Sequence, residues 1–141
     1  MTLVIDSSVI VKWFVREEGH PEAVKLLEMT EQLSCPDFAL AEAANVLWRK
    51  VRLGEIGSGQ AREAVGQMTV FFDSIVPSSA LLEAAFDLAG TLQHSVYDCM
   101  FLACALRREG DVLVSADEKF LTKASENGFA ASVRPLSGLN L

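Results

Sequence analysis

The hydrophobic pattern changes period several times along the chain, and each change marks a boundary between a short strand and a helix. Leu3-Val4-Ile5 is an unbroken β-rich run that ends at Asp6. It lacks the in-out alternation of a half-exposed strand, which predicts a strand buried on both faces of a parallel sheet. The next run, V-I-V-K-W-F-V, reads as a helix despite its β-branched residues, capped by Ser7 or Ser8 and ended by Gly19. Pro21 fits the first turn of a second helix, with Ala23, Leu26 and Leu27 pointing inward. Residues 33–35 predict another short strand. After Pro36, F-A-L-A-E-A-A-N-V-L-W-R-K-V predicts a helix stopped near Gly54, and residues 58–72 predict a further one.

The second half repeats the alternation. Residues 74–76 predict a strand, and Pro77 and Ser78 open a helix whose Leu81, Ala85, Leu88 and Leu92 share one face. The oily stretch after Ser95 reads as a helix to about Arg108, broken at Gly110. Val112-Leu113-Val114 is the clearest second buried strand and leads into S-A-D. Residues 117–127 predict a helix closed by Gly128, and residues 131–133 a last strand. Strands alternating with helices predict a single α/β domain over residues 1–141 with a mostly parallel sheet. Ligands of such sheets bind beyond the carboxyl ends of the strands, where Asp6 and Asp117 both fall.

Composition narrows the class. With 141 residues, half apolar and 22% charged, the chain can build one core and is not a disordered segment. It holds no run near the roughly 20 apolar residues of a membrane span. M-T-L-V-I-D lacks a basic start before an apolar signal segment. The expectation is a soluble cytoplasmic protein, not a membrane protein. Cys35, Cys99 and Cys104 are odd in number and form no C-x-x-C pair, so reduced, buried thiols are expected. The net charge of −7 argues against general nucleic-acid binding, because phosphates dominate that affinity. Acids gathered in one cleft change that conclusion, since divalent cations can neutralise them.

Four acids invite that reading. Asp98 is the only charge between Val96 and Leu106, and burying a carboxylate is costly unless something pairs with it. Glu42 lies among small and apolar residues, with Asn45 three positions on and so on the same helix face. Each acid alone has a plainer explanation. Ser95-Val96-Tyr97-Asp98 matches a capping box, Asp6 and Asp117 can cap the helices that follow them, and Glu42 can be a solvated helix acid. If Asp6, Glu42, Asp98 and Asp117 meet at the crevice, however, they repel one another. A hard cation such as Mg²⁺ or Mn²⁺ relieves that repulsion, activates water and stabilises charge on a phosphoryl oxygen. Hydrolysis of a phosphodiester fits. His20 and His94 are isolated and fall in predicted loops, so both read as solvated or structural rather than as ligands. Ser7, Ser8 and Ser115 have no triad setting, and no phosphate-binding glycine loop occurs.

These segments resemble the PIN-domain nucleases, and within them the VapC-type toxins of bacterial toxin–antitoxin pairs. The resemblance rests on V-I-D-S-S-V-I-V-K-W-F at 4–14, P-D-F-A-L-A-E-A-A-N-V-L-W-R-K at 36–50, H-S-V-Y-D-C-M-F-L-A at 94–103 and V-S-A-D-E-K-F at 114–120. It implies a three-layer α/β/α sandwich around a central parallel sheet of about five strands, and cleavage of RNA with Mg²⁺ or Mn²⁺. It implies that Asp6, Glu42, Asp98 and Asp117 are the acidic quartet, with Asp6 and Asp98 as direct metal ligands. Asp117 completes the metal shell, and Glu42 orients water or holds a second ion. Ser8, Asn45 and Ser115 become supporting polar residues. It further implies a homodimer and a VapB-type antitoxin partner. Trp13, Phe14, Leu47 and Trp48 are candidates for the antitoxin groove or dimer contact, with a core role as the competing reading.

RNA must approach an acidic protein, so basic residues beside the motifs matter. Lys12 and Arg49 are the first candidates for flanking phosphates, with Arg16, Lys50, Arg52, Lys119 and Lys123 behind them. Two rival functions stay open: a catalytically inactive PIN-like binding module, and a phosphatase or phosphotransfer domain with an aspartate nucleophile. The latter is weakened by S-S after Asp6, where a D-x-D spacing is absent.

Overall fold

The computed structural model describes residues 1–139. Five parallel strands form one sheet: β1 (Thr2–Ile5), β2 (Gln32–Pro36), β3 (Ser74–Val76), β4 (Val112–Ser115) and β5 (Val133–Pro135). Their spatial order is β3-β2-β1-β4-β5, and every neighbouring pair runs parallel. β1 and β4 are buried along their whole length, which is why their sequences are continuous apolar runs.

Seven α-helices accompany the sheet: α1 (Ser7–Phe14), α2 (His20–Leu27), α3 (Phe38–Arg52), α4 (Ser58–Gln67), α5 (Leu82–Leu92), α6 (Val96–Leu106) and α7 (Glu118–Ala124). The result is a three-layer α/β/α fold. Helix α6 lies across β1, β2 and β4 and carries α5 on its outer side, while α1 packs against α2 and α3. Sandwiched in this way, α6 buries every residue from Cys99 to Ala105, and its apolar sequence has no polar stripe. In α5, by contrast, only the face with Ala85, Leu88 and Leu92 is buried, together with Leu81 just before it.

Several boundaries differ from the sequence expectation, each for a local reason. Asp6, not Ser7 or Ser8, caps α1, because its carboxylate accepts the Val9 N–H. Helix α1 ends at Phe14, and Gly19, in a left-handed conformation, begins α2 instead. The predicted helix over 58–72 tightens into a 3₁₀ turn at Met68–Phe71. The helix after Asp117 ends at Ala124 and passes into a wider turn where Gly128 takes φ 97°. The last strand is Val133–Pro135, since residues 130–132 form a 3₁₀ turn.

The strand order has a consequence for function. From β1 the chain goes to β2 on one side and returns through β4 on the other. Neighbouring crossovers on opposite sides of the sheet leave a crevice at the carboxyl ends of β1 and β4. Ile5 pairs with Val114 in the register, so Asp6 and Ser115 emerge side by side at that crevice. Among the described residues no helix is long and apolar enough to cross a membrane. All three cysteines are buried and free, as their apolar settings predicted.

Candidate active site

The crevice is built around Asp6, whose side chain is almost wholly buried at 8% exposure. Its Oδ1 accepts the Ser8 hydroxyl at 2.5 Å and the Val9 N–H at 3.2 Å. Its Oδ2 accepts the Ser115 hydroxyl. Three donors do not fully replace water. Burial pushes the Asp6 carboxyl up to about 6, against the hydrogen bonds from Ser115, Ser8 and Val9, and the charge of Asp117 adds a smaller upward push.

Asp117 stands at the mouth of the same crevice, two residues past the end of β4. Ser115 Oγ accepts its backbone N–H at 3.0 Å, and its own Oδ1 caps α7 by accepting the Phe120 N–H at 3.2 Å. Ser115 is thus the hinge of the arrangement: its hydroxyl donates to one acid while its oxygen accepts from the backbone of the other.

Glu42 enters from the second turn of α3. The Ser7 hydroxyl donates to its Oε1 at 3.0 Å. Burial raises the Glu42 carboxyl above its ordinary value, the Ser7 hydrogen bond opposes this, and the charge of Asp98 adds to the rise. Asp98 sits in the first turn of α6. Ser95 caps that helix by accepting the Asp98 N–H at 3.3 Å, as the S-x-x-D pattern predicted. The Asp98 carboxylate instead meets His94, with Nε2 2.6 Å from Oδ2. The capping and crevice readings of Asp98 therefore hold together.

The four predicted acids fall into two coupled pairs, and only Asp98 and Asp117 belong to one close donor set. Asp6 feels Asp117, Glu42 feels Asp98, and Asp98 and Asp117 offer donor atoms within 4.8 Å of each other and of His94. Hard oxygen donors beside a buried carboxylate suit a small divalent cation. His94 corrects the sequence reading, which set it aside as an isolated loop residue. It belongs to this cluster because the α5–α6 turn brings it back over α6, one helical turn before Asp98. The available signal was the four-residue spacing between His94 and Asp98.

The supporting residues divide. Ser8 and Ser115 contact Asp6 directly, and Ser7, read only as a helix cap, holds Glu42. Asn45 is exposed on α3, one turn beyond Glu42. Lys12 pairs with Glu17 at 3.1 Å, and Lys50 binds the other oxygen of Glu17 at 3.0 Å. Lys12 also lines a cleft of about 430 Å³ that opens beside Ser115, with Glu18, Glu22 and Glu118 on its walls. Arg49 is exposed on α3, on the same helix as Glu42. Lys123 is tied to the Gln93 carbonyl at 2.9 Å. Trp13 and Leu47 are core residues, at 6% and 1% exposure, so neither can line a surface groove. Trp48 is open at 57% exposure, and Phe14 is half-buried.

Acids on four separate segments, coupled as Asp6 with Asp117 and Glu42 with Asp98, mark the switch point of this α/β fold, and comparison with known proteins gives it a family. The PIN domain family matches residues 3–126. The chain belongs to the PIN-domain family. It is 32% identical over 139 residues to "Ribonuclease VapC3" of Pyrobaculum aerophilum, covering 96% of this chain and all of that protein. Solved structures share the fold. The crystal structure of PAE2754 from Pyrobaculum aerophilum superposes with a TM-score of 0.70 at 20% identity, over 97% of this chain and 85% of that one. VapBC2 from Rickettsia felis, solved bound to a DNA fragment from its promoter, gives 0.67 at 13% identity, over 96% and 98% of the two chains. VapBC-1 from nontypeable Haemophilus influenzae gives 0.64 at 17% identity, over 97% and 99%.

Proposed function

We propose that this chain is a ribonuclease of the VapC type, the toxin of a toxin–antitoxin pair, and that it hydrolyses RNA phosphodiester bonds with Mg²⁺ or Mn²⁺ at the crevice. The observation that carries the metal requirement is geometric: Asp98 and Asp117 offer oxygen donors within 4.8 Å of each other. The buried Asp6, whose carboxyl burial pushes upward and which Asp117 pushes further, gives the same region excess negative charge for a cation to offset. Kinship with a ribonuclease over nearly the whole chain supports the reaction class.

Asp6, Asp98 and Asp117 are the residues that would hold the ion. A carboxylate has about four acceptor positions, and Ser8, Val9 and Ser115 occupy three on Asp6. The position left on Oδ2 is free for a cation. When bound, the cation supplies Lewis acidity, lowering the pKa of a water molecule and offsetting charge that develops on the phosphoryl group. Glu42, anchored by Ser7 through Oε1, keeps Oε2 to orient the attacking water and take its proton. Its raised affinity for protons suits that task. Lys12 and Arg49 are the side chains we assign to flanking phosphates, with Lys12 shared between RNA and Glu17. An aspartyl-phosphate mechanism is disfavoured, because Ser7-Ser8 follows Asp6 and no second acid stands at D-x-D spacing.

The pairing with a VapB-type antitoxin follows from the same kinship and from the fold shared with VapBC proteins. A homodimer fits the exposed apolar residues Leu82, Phe86 and Tyr97 on α5 and α6; a monomer by light scattering at micromolar concentration would remove that assignment. The reaction itself is tested with a labelled single-stranded RNA pool. Cleavage should stop in EDTA and return with added Mn²⁺. Cleavage that persists in EDTA would overturn the metal-dependent mechanism.

A further inference from the structure

We propose that His94 is a nitrogen donor to the cation of this site, joining Asp98 and Asp117, two of the three acids assigned to that ion, and favouring Mn²⁺ over Mg²⁺. The proposal rests on the metal-dependent reading above and deepens it by naming the ion. One donor atom from each of His94, Asp98 and Asp117 lies within 4.8 Å of the others. Donors on one octahedral ion at about 2.1 Å stand about 3.0 Å apart when adjacent and about 4.2 Å when opposite, so closure needs side-chain adjustments of up to about 1.8 Å.

An ordinary surface pair between His94 and Asp98 would account for their 2.6 Å contact and nothing more. It would not account for how the ring is held. Gln93 adopts a left-handed backbone, φ 51°, the sole non-glycine among the described residues to do so. Gln93 is the C-cap of α5, a place where a left-handed residue commonly ends a helix, and this cap turns the chain toward α6. Here the Gln93 side chain donates to the Gly90 carbonyl at 2.8 Å, and its own carbonyl accepts Lys123 Nζ at 2.9 Å. Lys123 belongs to α7. So does Phe120, whose ring meets the imidazole at 4.8 Å between centroids, tilted by 54°. Asp117 caps that helix. The helix that carries one acid of the set therefore fixes, by two separate contacts, the turn and the ring that place the histidine beside the other acid.

Chemistry then decides which ion gains. Mg²⁺ prefers an all-oxygen shell, whereas imidazole is a good ligand for later divalent metals, and Mn²⁺ accepts a mixed shell. In the metal-free protein the 2.6 Å contact has Nε2–H donating to Asp98 Oδ2. To ligate a cation the ring must carry its proton on Nδ1 and present the Nε2 lone pair, and the contact to Asp98 is then exchanged for a shared cation.

The chain contains two histidines, which makes the test specific. Purified protein is titrated with Mn²⁺ alone and with Mg²⁺ alone by calorimetry, and the Mn²⁺-loaded protein is examined by pulsed electron paramagnetic resonance for coupling to imidazole nitrogen. The expected result is nitrogen coupling in the wild type and in His20→Ala, and none in His94→Ala. Mn²⁺ affinity should fall about tenfold or more in His94→Ala, while Mg²⁺ affinity changes less than about threefold. His94→Gln, which keeps a polar side chain of similar reach, guards against a folding defect and should also lose the coupling. Mn²⁺ bound without nitrogen coupling in the wild type overturns the His94 assignment and leaves the metal-dependent reading intact. Failure to bind Mn²⁺ at millimolar concentration overturns both.

Discussion

Asp6 and Ser115 lie 109 positions apart in sequence and share a buried hydrogen bond across the adjacent ends of β1 and β4. The parallel register of Ile5 with Val114 makes them neighbours. The same hydroxyl oxygen accepts the Asp117 N–H, so one serine sets the spacing between two acids that repel each other. Serine suits the place because a hydroxyl donates and accepts at once.

Ser115→Ala should therefore be costly. Removing a donor to a buried carboxylate leaves an unsatisfied charge, worth about 2–3 kcal/mol, and frees the Asp117 backbone. Urea denaturation of the metal-free protein at pH 7 measures the loss. A change below about 0.5 kcal/mol would show that the hydroxyl does not hold Asp6.

The buried carboxyl also predicts a pH dependence with a definite sign. Asp6 ionises near 6 in the folded protein against an ordinary value of 3.8. Below about pH 4 it is neutral in both states and costs nothing. As the pH rises through 6 the folded protein must ionise it, and stability falls by about 3 kcal/mol across that window. Asp6→Asn has no such charge, and its amide can still face Ser8 and Ser115. In denaturation series from pH 4 to 7 without metal, the variant should gain on the wild type as the pH rises. A constant difference across the series would contradict the assignment.

How much of this was legible in the chain can be judged at particular residues. The buried strands at Leu3–Ile5 and Val112–Val114 were plain because strands covered on both faces read as unbroken apolar runs. The four acids were legible for the complementary reason: each interrupts or closes an apolar segment at a place where a parallel sheet has its crevice. What pattern could not supply was contact across the sheet. Ser7 looked like a helix cap until α3 brought Glu42 to it. His94 looked like a loop residue because its role depends on a left-handed Gln93 and on α7, more than 20 residues on. For Trp13 and Leu47 the sequence left a groove role and a core role open, and both face inward, a matter of helix phase that single residues do not reveal.

Arg49 offers a separate check on RNA binding. It is exposed on the helix that carries Glu42, without a role in holding the acids. Arg49→Ala should weaken binding of single-stranded RNA several-fold, reduce the salt dependence of that binding by about one charge, and leave Mn²⁺ affinity unchanged. Unaltered RNA affinity across salt concentrations would place the RNA path elsewhere.

The central claim is that carboxylates brought together at the ends of β1 and β4 cleave RNA. The most direct measurement is cleavage of a labelled RNA by wild type, Asp6→Asn and Asp98→Asn, each purified to exclude contaminating nuclease and shown to be folded by circular dichroism. Losing about 4 kcal/mol of transition-state stabilisation corresponds to about a thousandfold in rate, so each variant should cleave at least about a thousandfold more slowly than the wild type. Wild-type rates in a double Asp6→Asn, Asp98→Asn variant would contradict the account.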